Sequence, residues 1–358
     1  MRIYATFPFD GELVLLEHLL RETWGLVDFY VLVEAGETYR GAAKPFVFAE
    51  NRDTFAWAEE RIRHVRLPRL GTADSAPRAR AEVQRNAVQL GLTNADQRDI
   101  VLLLDVDEVP SRSLFERLRR DGLTQAVRLR MSRHYGYADR LAPASPCCAD
   151  PEMPFATAHR WRGPDAWDAL TSRWQGLSAV AAPVSAMRAT GAFALRYGVA
   201  SDAALDDAGR HYSSVDPSTR LQRKLGRVFH AEFDGERERA EAHLERCRQW
   251  GLHHRGWWYA ERPAGTPPAD VARLVKSCPA LAAPAPPPKW RRRMLRSWSW
   301  LRLWRALPEC LVATIDRHFE AMTLPLAIPL LLLDLGRAVA AEIAGRLGIR
   351  GRPSNHPH

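Results

Sequence analysis

The sequence predicts an α/β fold, a sheet flanked by helices, over the first 130 residues. Strand-like and helix-like segments alternate there, which is typical of doubly wound sheets. The run DIVLLL at 99–104 is the strongest strand signal, because continuous apolar runs suit parallel strands that are buried on both faces. Leucines at 13, 16, 19 and 20 recur at the spacing of one helix face.

The other predicted elements follow in order along the chain. Asp10 is a suitable N-cap for the first helix, and Glu12 lies in its first turn, where the helix dipole favours an anion. The segment VDFYVLVE is rich in β-branched and aromatic residues, which favour strands. Periodicity is weak over 135–210, so no regular pattern of elements is predicted for that stretch. The predicted strands are 2–8, 27–34, 62–67, 99–104 and 124–131, and the predicted helices are 10–24, 52–60, 76–90, one capped by Ser111, and 236–250.

Composition places the chain among ordinary globular proteins. It has 358 residues, of which 46% are hydrophobic and 26% charged, and this argues against a mainly disordered, collagen-like or disulfide-scaffold protein. The five cysteines lack metal-binding spacing, and their odd number favours a reducing compartment. The N-terminus has no apolar segment of signal-peptide length, so we expect a cytoplasmic protein.

A proline-rich segment suggests where the main domain ends. Eight prolines fall between residues 261 and 288, and the segment closes with PAPPP. Such composition is typical of a linker. We therefore predict a main domain over 1–260, a linker over 261–288 and a basic, tryptophan-rich and apolar helical extension over 289–350.

The basic charge is concentrated in that extension. The net charge is +9, and the segment 289–305 contributes seven basic residues and no acid, so the rest of the chain carries only +2. Nucleic-acid binding by the main domain is therefore not predicted. In a helix, Trp290, Trp298 and Trp304 fall on one face, and most arginines of 289–305 fall on the other.

This two-sided pattern favours a helix in a membrane interface, where tryptophans lie at headgroup level and arginines meet anionic lipid. The alternative is a helix packed on the main domain with its basic face in solvent. The uncharged segment 321–333 has 13 residues and contains two prolines, whereas a membrane-spanning helix needs about 20 apolar residues. We expect peripheral contact through 289–333, at the inner face of a membrane, rather than a transmembrane helix.

Three acidic residues follow the apolar run. Asp105, Asp107 and Glu108 stand where a central strand ends, and ligands of open α/β sheets bind beyond the carboxyl ends of strands. Two carboxylates at i and i+2 can hold Mg²⁺ or Mn²⁺ and leave positions open for phosphate oxygens. The alternative is a solvated acidic turn that precedes the next helix, with Glu108 as a first-turn helix acid.

Several motifs together resemble one known family. VDFYVLVEAGETYRGAAKP, EVQRNAVQLGL, DIVLLLDVDEVP, GRHYSSV and KLGRVFHAEFD, in this order between residues 3 and 240, are similar to glycosyltransferase family 17. The resemblance implies a GT-A type, Rossmann-like mixed sheet flanked by helices, with a UDP-sugar donor, a divalent metal and transfer with inversion. The family's β-1,4-mannosyl-glycoprotein β-1,4-N-acetylglucosaminyltransferases suggest GlcNAc as the sugar. We expect a surface-glycan or lipid-linked glycan acceptor.

The resemblance also implies roles for individual residues. Glu34, Lys44 and Arg85 match motif positions expected at the donor. The loop that carries Thr38, Gly41 and Lys44 either lies over the donor site or is an ordinary surface loop, and Arg85 either touches the nucleotide or pairs with Glu82 one turn away. The full set of predicted donor-binding residues is Glu34, Lys44, Arg85, Asp105, His211 and Lys224, and the predicted metal ligands are Asp105, Asp107 and His230.

Inversion requires one carboxylate as general base near the acceptor hydroxyl. Asp202, Asp206, Asp207 and Glu232 are the candidates, and we take Asp207 and Glu232 forward. His230 and Glu232 alternate on a predicted strand, so both point the same way. Two other functions remain open: a nucleotidyltransferase of related fold, and a non-catalytic membrane-surface adaptor on a transferase scaffold. The turn PFDGEL lacks the Gly-rich basic loop that a nucleotidyltransferase usually carries.

Overall fold

A computed structural model describes residues 1–142, 175–198, 203–215 and 265–284, together with positions 245, 248–249, 251, 260 and 262–263. All of these residues lie in the compact unit formed by 1–255 and 260–286. Their strands, which form one sheet, are β1 Ile3–Phe9, β2 Phe29–Ala35, β3 Ile62–Leu67, β4 Ile100–Leu103, β5 Glu108–Pro110, β6 Val127–Tyr135, β7 Leu141–Ala142, β8 Gln175–Pro183, β9 Ala204–Leu205 and β10 Gly209–Ser213.

The described helices flank this sheet. The α-helices are α1 Leu13–Thr23, α2 Val47–Glu50, α3 Pro77–Asn86, α4 Arg112–Asp121, α5 Val184–Thr190, α6 Ala192–Gly198 and α7 Ala269–Ser277. Short 3₁₀ helices cover Arg52–Arg61, Ala87–Gly91 and Pro279–Leu281.

The sheet is mixed, in the order β3-β2-β1-β4-β8-β6-β10-β5. Strands β3, β2, β1 and β4 are parallel, as the alternation of strands and helices predicts. Strand β8 then runs antiparallel between β4 and β6, and β10 pairs parallel with β6 and antiparallel with β5. The predicted α/β class with a mixed sheet and flanking helices is confirmed.

The apolar run of β4 packs on both faces of the sheet. Ile100 and Leu102 belong to one core cluster, whereas Val101 and Leu103 belong to the cluster on the other side, and all four are fully buried. Successive side chains of a strand point to opposite faces, so two covered faces require a continuous apolar sequence. The prediction of a central strand buried on both faces is confirmed.

Some predicted boundaries are wrong. Helix α1 begins at Leu13 after Glu12, and Asp10 does not cap it. The chain turns at Gly11, whose φ is +101°, and the Asp10 carboxylate pairs instead with Lys44 at 2.8 Å. The sixth strand begins at Val127 and continues to Tyr135, beyond the predicted end.

Part of the predicted linker belongs to the folded core. Helix α7 lies inside it, and its Val271 and Leu274 are fully buried. Prolines flank this helix without interrupting it, because Pro268 is its N-cap residue and Pro279 follows its end. Composition alone therefore misjudged residues 265–284.

The extension over 289–350 and most of the predicted helix 236–250 lie outside the described residues. Among the helices of the described ranges, none combines the length and apolar character that a membrane crossing requires.

Ser111 caps α4, as predicted from the sequence. Its hydroxyl oxygen accepts a hydrogen bond from the Leu114 main-chain N–H at 3.3 Å and donates one to the Asp207 carbonyl oxygen at 2.8 Å. We expect Ser111→Ala to lower the free energy of unfolding by about 0.5–2 kcal/mol, measured by urea denaturation. Ser111→Thr keeps the hydroxyl and should retain most of this stability. Equal losses in both variants would contradict the capping role.

Candidate functional site

A cavity of about 420 Å³ opens at the carboxyl ends of the parallel strands. Asp10 follows β1, Thr38 follows β2, and Asp105 and Asp107 follow β4, and all of them line the cavity together with His211 of β10. The sheet topology thus brings together residues that lie far apart in the sequence. Such a position is where open α/β sheets bind their ligands.

Asp105 is held by two arginines. Arg85 Nη2 lies 2.5 Å from Oδ1 of Asp105, and Arg196 Nη2 lies 3.1 Å from Oδ2. Burial alone would raise the pKa of Asp105, but the two guanidinium groups outweigh burial and hold this pKa well below its usual range. Arg85 also donates to the Leu104 carbonyl oxygen at 2.6 Å, which fixes its orientation against the end of β4.

Arg196 is a residue that the sequence did not reveal. It lies on α6, within the stretch of weak periodicity. Because the chain has 51 basic residues, the sequence does not distinguish Arg196 from the others. Its Nη2 donates to Glu108 Oε1 at 2.7 Å, and its Nη1 donates to the Ser178 carbonyl oxygen. Glu108 is fully buried in β5, so its interpretation as a first-turn helix acid is wrong.

Asp107 and His211 lie next to each other in the lining of the cavity. The distance between Asp107 Oδ1 and His211 Nε2 is 3.7 Å, and His211 Nδ1 lies 3.2 Å from the Ser178 hydroxyl. The main-chain N–H of Tyr212 donates to the Asp107 carbonyl oxygen at 2.7 Å. The acidic turn and β10 are therefore joined through the backbone as well as through side chains.

The loop after β2 closes another side of the cavity. Two main-chain N–H groups of the loop, those of Arg40 and Ala42, donate to the Thr38 hydroxyl, and Gly41 adopts a φ of +84°. The side chain of Lys44 is only 5% exposed and pairs with Asp10. Of the two interpretations left open by the sequence, the structure favours a loop that lies at the site.

Two tyrosines also line this cavity and were not singled out from the sequence. Tyr39 lies in the loop after β2, and Tyr197 follows Arg196 on α6. Desolvation raises the pKa of both phenols above the ordinary value, at which a phenol is already protonated near neutral pH. A protonated phenol can donate a hydrogen bond to an oxygen of a bound ligand.

Several predicted site residues lie elsewhere. Glu34 is fully buried and accepts from the Phe48 main-chain N–H at 2.9 Å, while its other oxygen lies 3.0 Å from His64 Nε2. Glu34 thus supports the fold beside the site, and its prediction as a donor-binding residue is corrected. Glu82 is exposed, whereas Arg85 points inward to Asp105.

Asp207 does not line the cavity. It lies in a second pocket of about 400 Å³, where its main-chain N–H donates to Gln175 Oε1 at 2.9 Å. The backbone of Asp207 is in the left-handed region, with a φ of 54°. The role predicted for Asp207, general base near the acceptor hydroxyl, would therefore require the acceptor to reach this second pocket. Asp202, Lys224, His230 and Glu232 lie outside the described residues.

The residues present fit a divalent cation only in part. Within the ranges that the structure describes, no group of three or more His, Cys, Asp or Glu side chains could hold a metal ion. Both oxygens of Asp105 already contact guanidinium groups, so Asp105 fits poorly as a ligand. Asp107 and His211 offer an oxygen and a nitrogen at the cavity, a donor set that suits Mn²⁺.

The fold and the cavity define an α/β protein with a polar ligand site beyond the ends of parallel strands and an acidic turn at its centre. Residues 1–141 match the model of glycosyltransferase family 17. The family resemblance predicted from the sequence motifs is confirmed over this part of the chain. The matched region contains every cavity residue from β1 to β4 and the acidic turn.

The remaining comparisons add little. A structure titled "WbbM bifunctional glycosytransferase apo structure" is 12% identical, with a TM-score of 0.25, and the match covers 54% of this chain. This chain spans about a third, 33%, of the length of that structure. None of the curated proteins compared with the chain matches it.

Proposed function

We propose that the protein is a glycosyltransferase that moves GlcNAc from a UDP-sugar to a glycan or lipid-linked glycan, with inversion and with the help of Mn²⁺ or Mg²⁺. The observation that carries the proposal is the cavity, because residues of the region that matches the family build it around the acidic turn. The position of the cavity beyond the strand ends suits a nucleotide. We assign the mixed sheet to the GT-A type.

Lys44, Arg85 and Arg196 provide part of the positive charge for the diphosphate of the donor. All three line the cavity, and cations placed before the reaction stabilise the charge that develops on a leaving diphosphate. Lys224 remains a predicted fourth cation. Tyr39 and Tyr197 offer further hydrogen-bond donors to the nucleotide.

The charge balance supports the use of a divalent cation. Carboxylates match the cationic side chains at the cavity, since Lys44 pairs with Asp10 and the two arginines pair with Asp105 and Glu108. The anionic diphosphate therefore needs further positive charge. When bound, Mn²⁺ or Mg²⁺ would supply this charge as a Lewis acid. Asp107, with the predicted His230, would hold the cation.

The general base acts on the acceptor hydroxyl. Inversion needs one carboxylate there, which takes the proton as the hydroxyl oxygen attacks the anomeric carbon. With Asp207 placed in the second pocket, Glu232 is the carboxylate that we propose for this role. Water must be kept from the same carbon, and the loop that carries Thr38 and Lys44 contributes to the cavity lining.

The experiment is a screen of UDP-sugars with Mn²⁺ that measures release of UDP by the full chain. We expect UDP-GlcNAc to be hydrolysed slowly without acceptor, and Arg85→Lys to lower the rate while the exposed Glu60→Gln does not. Release of pyrophosphate from a nucleoside triphosphate would indicate a nucleotidyltransferase instead. Donor binding without any turnover would indicate a non-catalytic adaptor.

Peripheral membrane contact through 289–333 is part of the proposal. We expect truncation at Pro286 to release the protein from anionic vesicles, because seven basic residues lie between 289 and 305 and each contributes about 1 kcal/mol near such a surface. Vesicle co-sedimentation at low salt measures the effect, with neutral vesicles as control. Equal co-sedimentation of the full and truncated chains would contradict membrane contact.

A further inference from the structure

Arg80 is a buried residue of α3 beside the cavity. Its neighbour in the chain, Ala81, lines the cavity, and so do Gln84 and Arg85 of the same helix. The side chain of Arg80 is only 3% exposed, and it is not one of the cations proposed for the donor diphosphate. Burying a guanidinium group is costly unless its N–H groups are paired, so the partners of Arg80 indicate its role.

The guanidinium group of Arg80 joins two loops. Nη1 donates to Oε1 of Glu37, which lies in the loop after β2, residues 36–46. The other nitrogens donate to main-chain carbonyl oxygens of the loop between β3 and α3, residues 68–76. These acceptors are Ser75 at 3.2 Å, Thr72 at 2.5 Å and Ala73 at 3.4 Å. One planar side chain with five donors can make all of these bonds at once, which lysine cannot do.

The loop after β2 contacts Arg80 at two points. At the first, Oε1 of Glu37 accepts from Arg80 and also from the Leu70 main-chain N–H at 2.7 Å. At the second, Gly41 lies so close to the guanidinium group that a Cβ there would be 3.1 Å from Arg80 Nη2. The loop is therefore held against α3 by a side chain and by its backbone.

The same loop is bonded within itself. The Thr38 N–H donates to the Ala42 carbonyl oxygen at 2.8 Å, and the Lys44 N–H donates to the Gly36 carbonyl oxygen at 2.9 Å. Thr38, Tyr39 and Lys44 all line the cavity. A contact that fixes one point of this loop therefore fixes the side chains that face the cavity.

We infer that Arg80 is a positioning residue for the donor, which through Glu37 holds the loop after β2 as a fixed wall of the cavity rather than as a lid. This inference rests on the proposed function, because the donor is proposed to bind in that cavity. A wall that is already in place requires no ordering when the ligand binds. If the wall were in place only part of the time, the apparent affinity would fall by that fraction.

Hydrogen exchange of the full chain, followed by mass spectrometry, measures how often the loop opens. In Arg80→Met we expect peptides of the loop to exchange at least about ten-fold faster, and UDP to bind about ten-fold more weakly by calorimetry. Peptides of β4 serve as the reference within each sample and should change much less. In turnover, KM for the UDP-sugar should rise while kcat changes little, because the wall contributes equally to binding of substrate and transition state.

Glu37→Ala tests the contact from its other side and leaves Arg80 with its three carbonyl acceptors. Glu37 lines the cavity, so removing its negative charge would by itself strengthen binding of anionic UDP. Weaker binding in this variant therefore reports on the loop. The double variant should bind UDP no more weakly than Arg80→Met alone, because both substitutions break the same contact.

Arg78→Met is the matched control, since Arg78 lies on the same helix but is exposed and lies over the Phe193 ring. It should leave loop exchange and UDP affinity unchanged. Three results would each overturn the inference: a folded Arg80→Met with unchanged loop exchange, faster exchange with unchanged UDP affinity, or exchange that rises equally in β4. A wild type that binds no UDP, alongside faster loop exchange in the variants, would contradict the proposed function and leave Arg80 as the anchor of the loop.

Discussion

Arg196→Met should destabilise the protein by about 3–5 kcal/mol, the cost of leaving a buried carboxylate without its partner. Glu108 is fully buried, and Arg196 contacts it at 2.7 Å while also holding Asp105 at 3.1 Å. Methionine fills much of the space but provides no charge. Urea denaturation of the full chain measures the loss as a change in the free energy of unfolding.

Two further variants separate the effect of the unpaired carboxylate on stability from the effect of lost packing. Arg188 on the neighbouring α5 donates to the carbonyl oxygens of Leu92 and Ala95, and Arg188→Met should cost only about 1 kcal/mol. The double variant Arg196→Met with Glu108→Gln should recover part of the stability, because it removes the unpaired charge. A double variant no more stable than Arg196→Met alone would show that charge burial is not the cause.

Asp107→Ala should lower Mn²⁺-dependent turnover of UDP-sugar at least about 100-fold, because a Lewis acid supplies several kcal/mol of charge stabilisation. The fold should survive, since the hydrogen bond from the Tyr212 N–H ends on the Asp107 main-chain oxygen, which alanine keeps. Initial rates of UDP release across a Mn²⁺ titration measure the effect, with the melting temperature recorded on the same samples.

Glu37→Gln is a useful comparison, since Glu37 also lines the cavity but pairs with Arg80. It should retain the Mn²⁺ dependence of the wild type. If Asp107→Ala turns over UDP-sugar with an unchanged dependence on Mn²⁺, then Asp107 is not a metal ligand, and the role proposed for the acidic turn is wrong.

The sequence predicted the part of the fold that local patterns encode. The run DIVLLL has no polar interruption because both faces of β4 are covered, and Ser111 caps a helix through a bond to a residue three positions away. These features depend on residues that are close in the chain, so hydrophobic periodicity and local composition reveal them. The acidic turn was found for the same reason, because it follows directly on the apolar run.

The linker and the Asp10 cap show where local patterns fail. Proline composition indicated a linker, yet Val271 and Leu274 lie between those prolines and are buried in the core. Asp10 has the chemistry of an N-cap, but Lys44, brought close by the loop after β2, takes its carboxylate. In both cases a contact with a distant part of the chain outweighs the local preference.

The sequence by itself determined the α/β class, the central strand and the acidic residues at its end, because alternation, apolar runs and motif spacing are properties of neighbouring residues. Only the tertiary structure decided which side chains each acidic residue contacts. Strand β8 enters the sheet beside β4, and the helix α6 that follows it brings Arg196 to Asp105 and Glu108, residues about 90 positions away. Strand β10, paired with β5, brings His211 to Asp107. The order of strands in the sheet sets these partners. Local sequence patterns do not reveal the strand order.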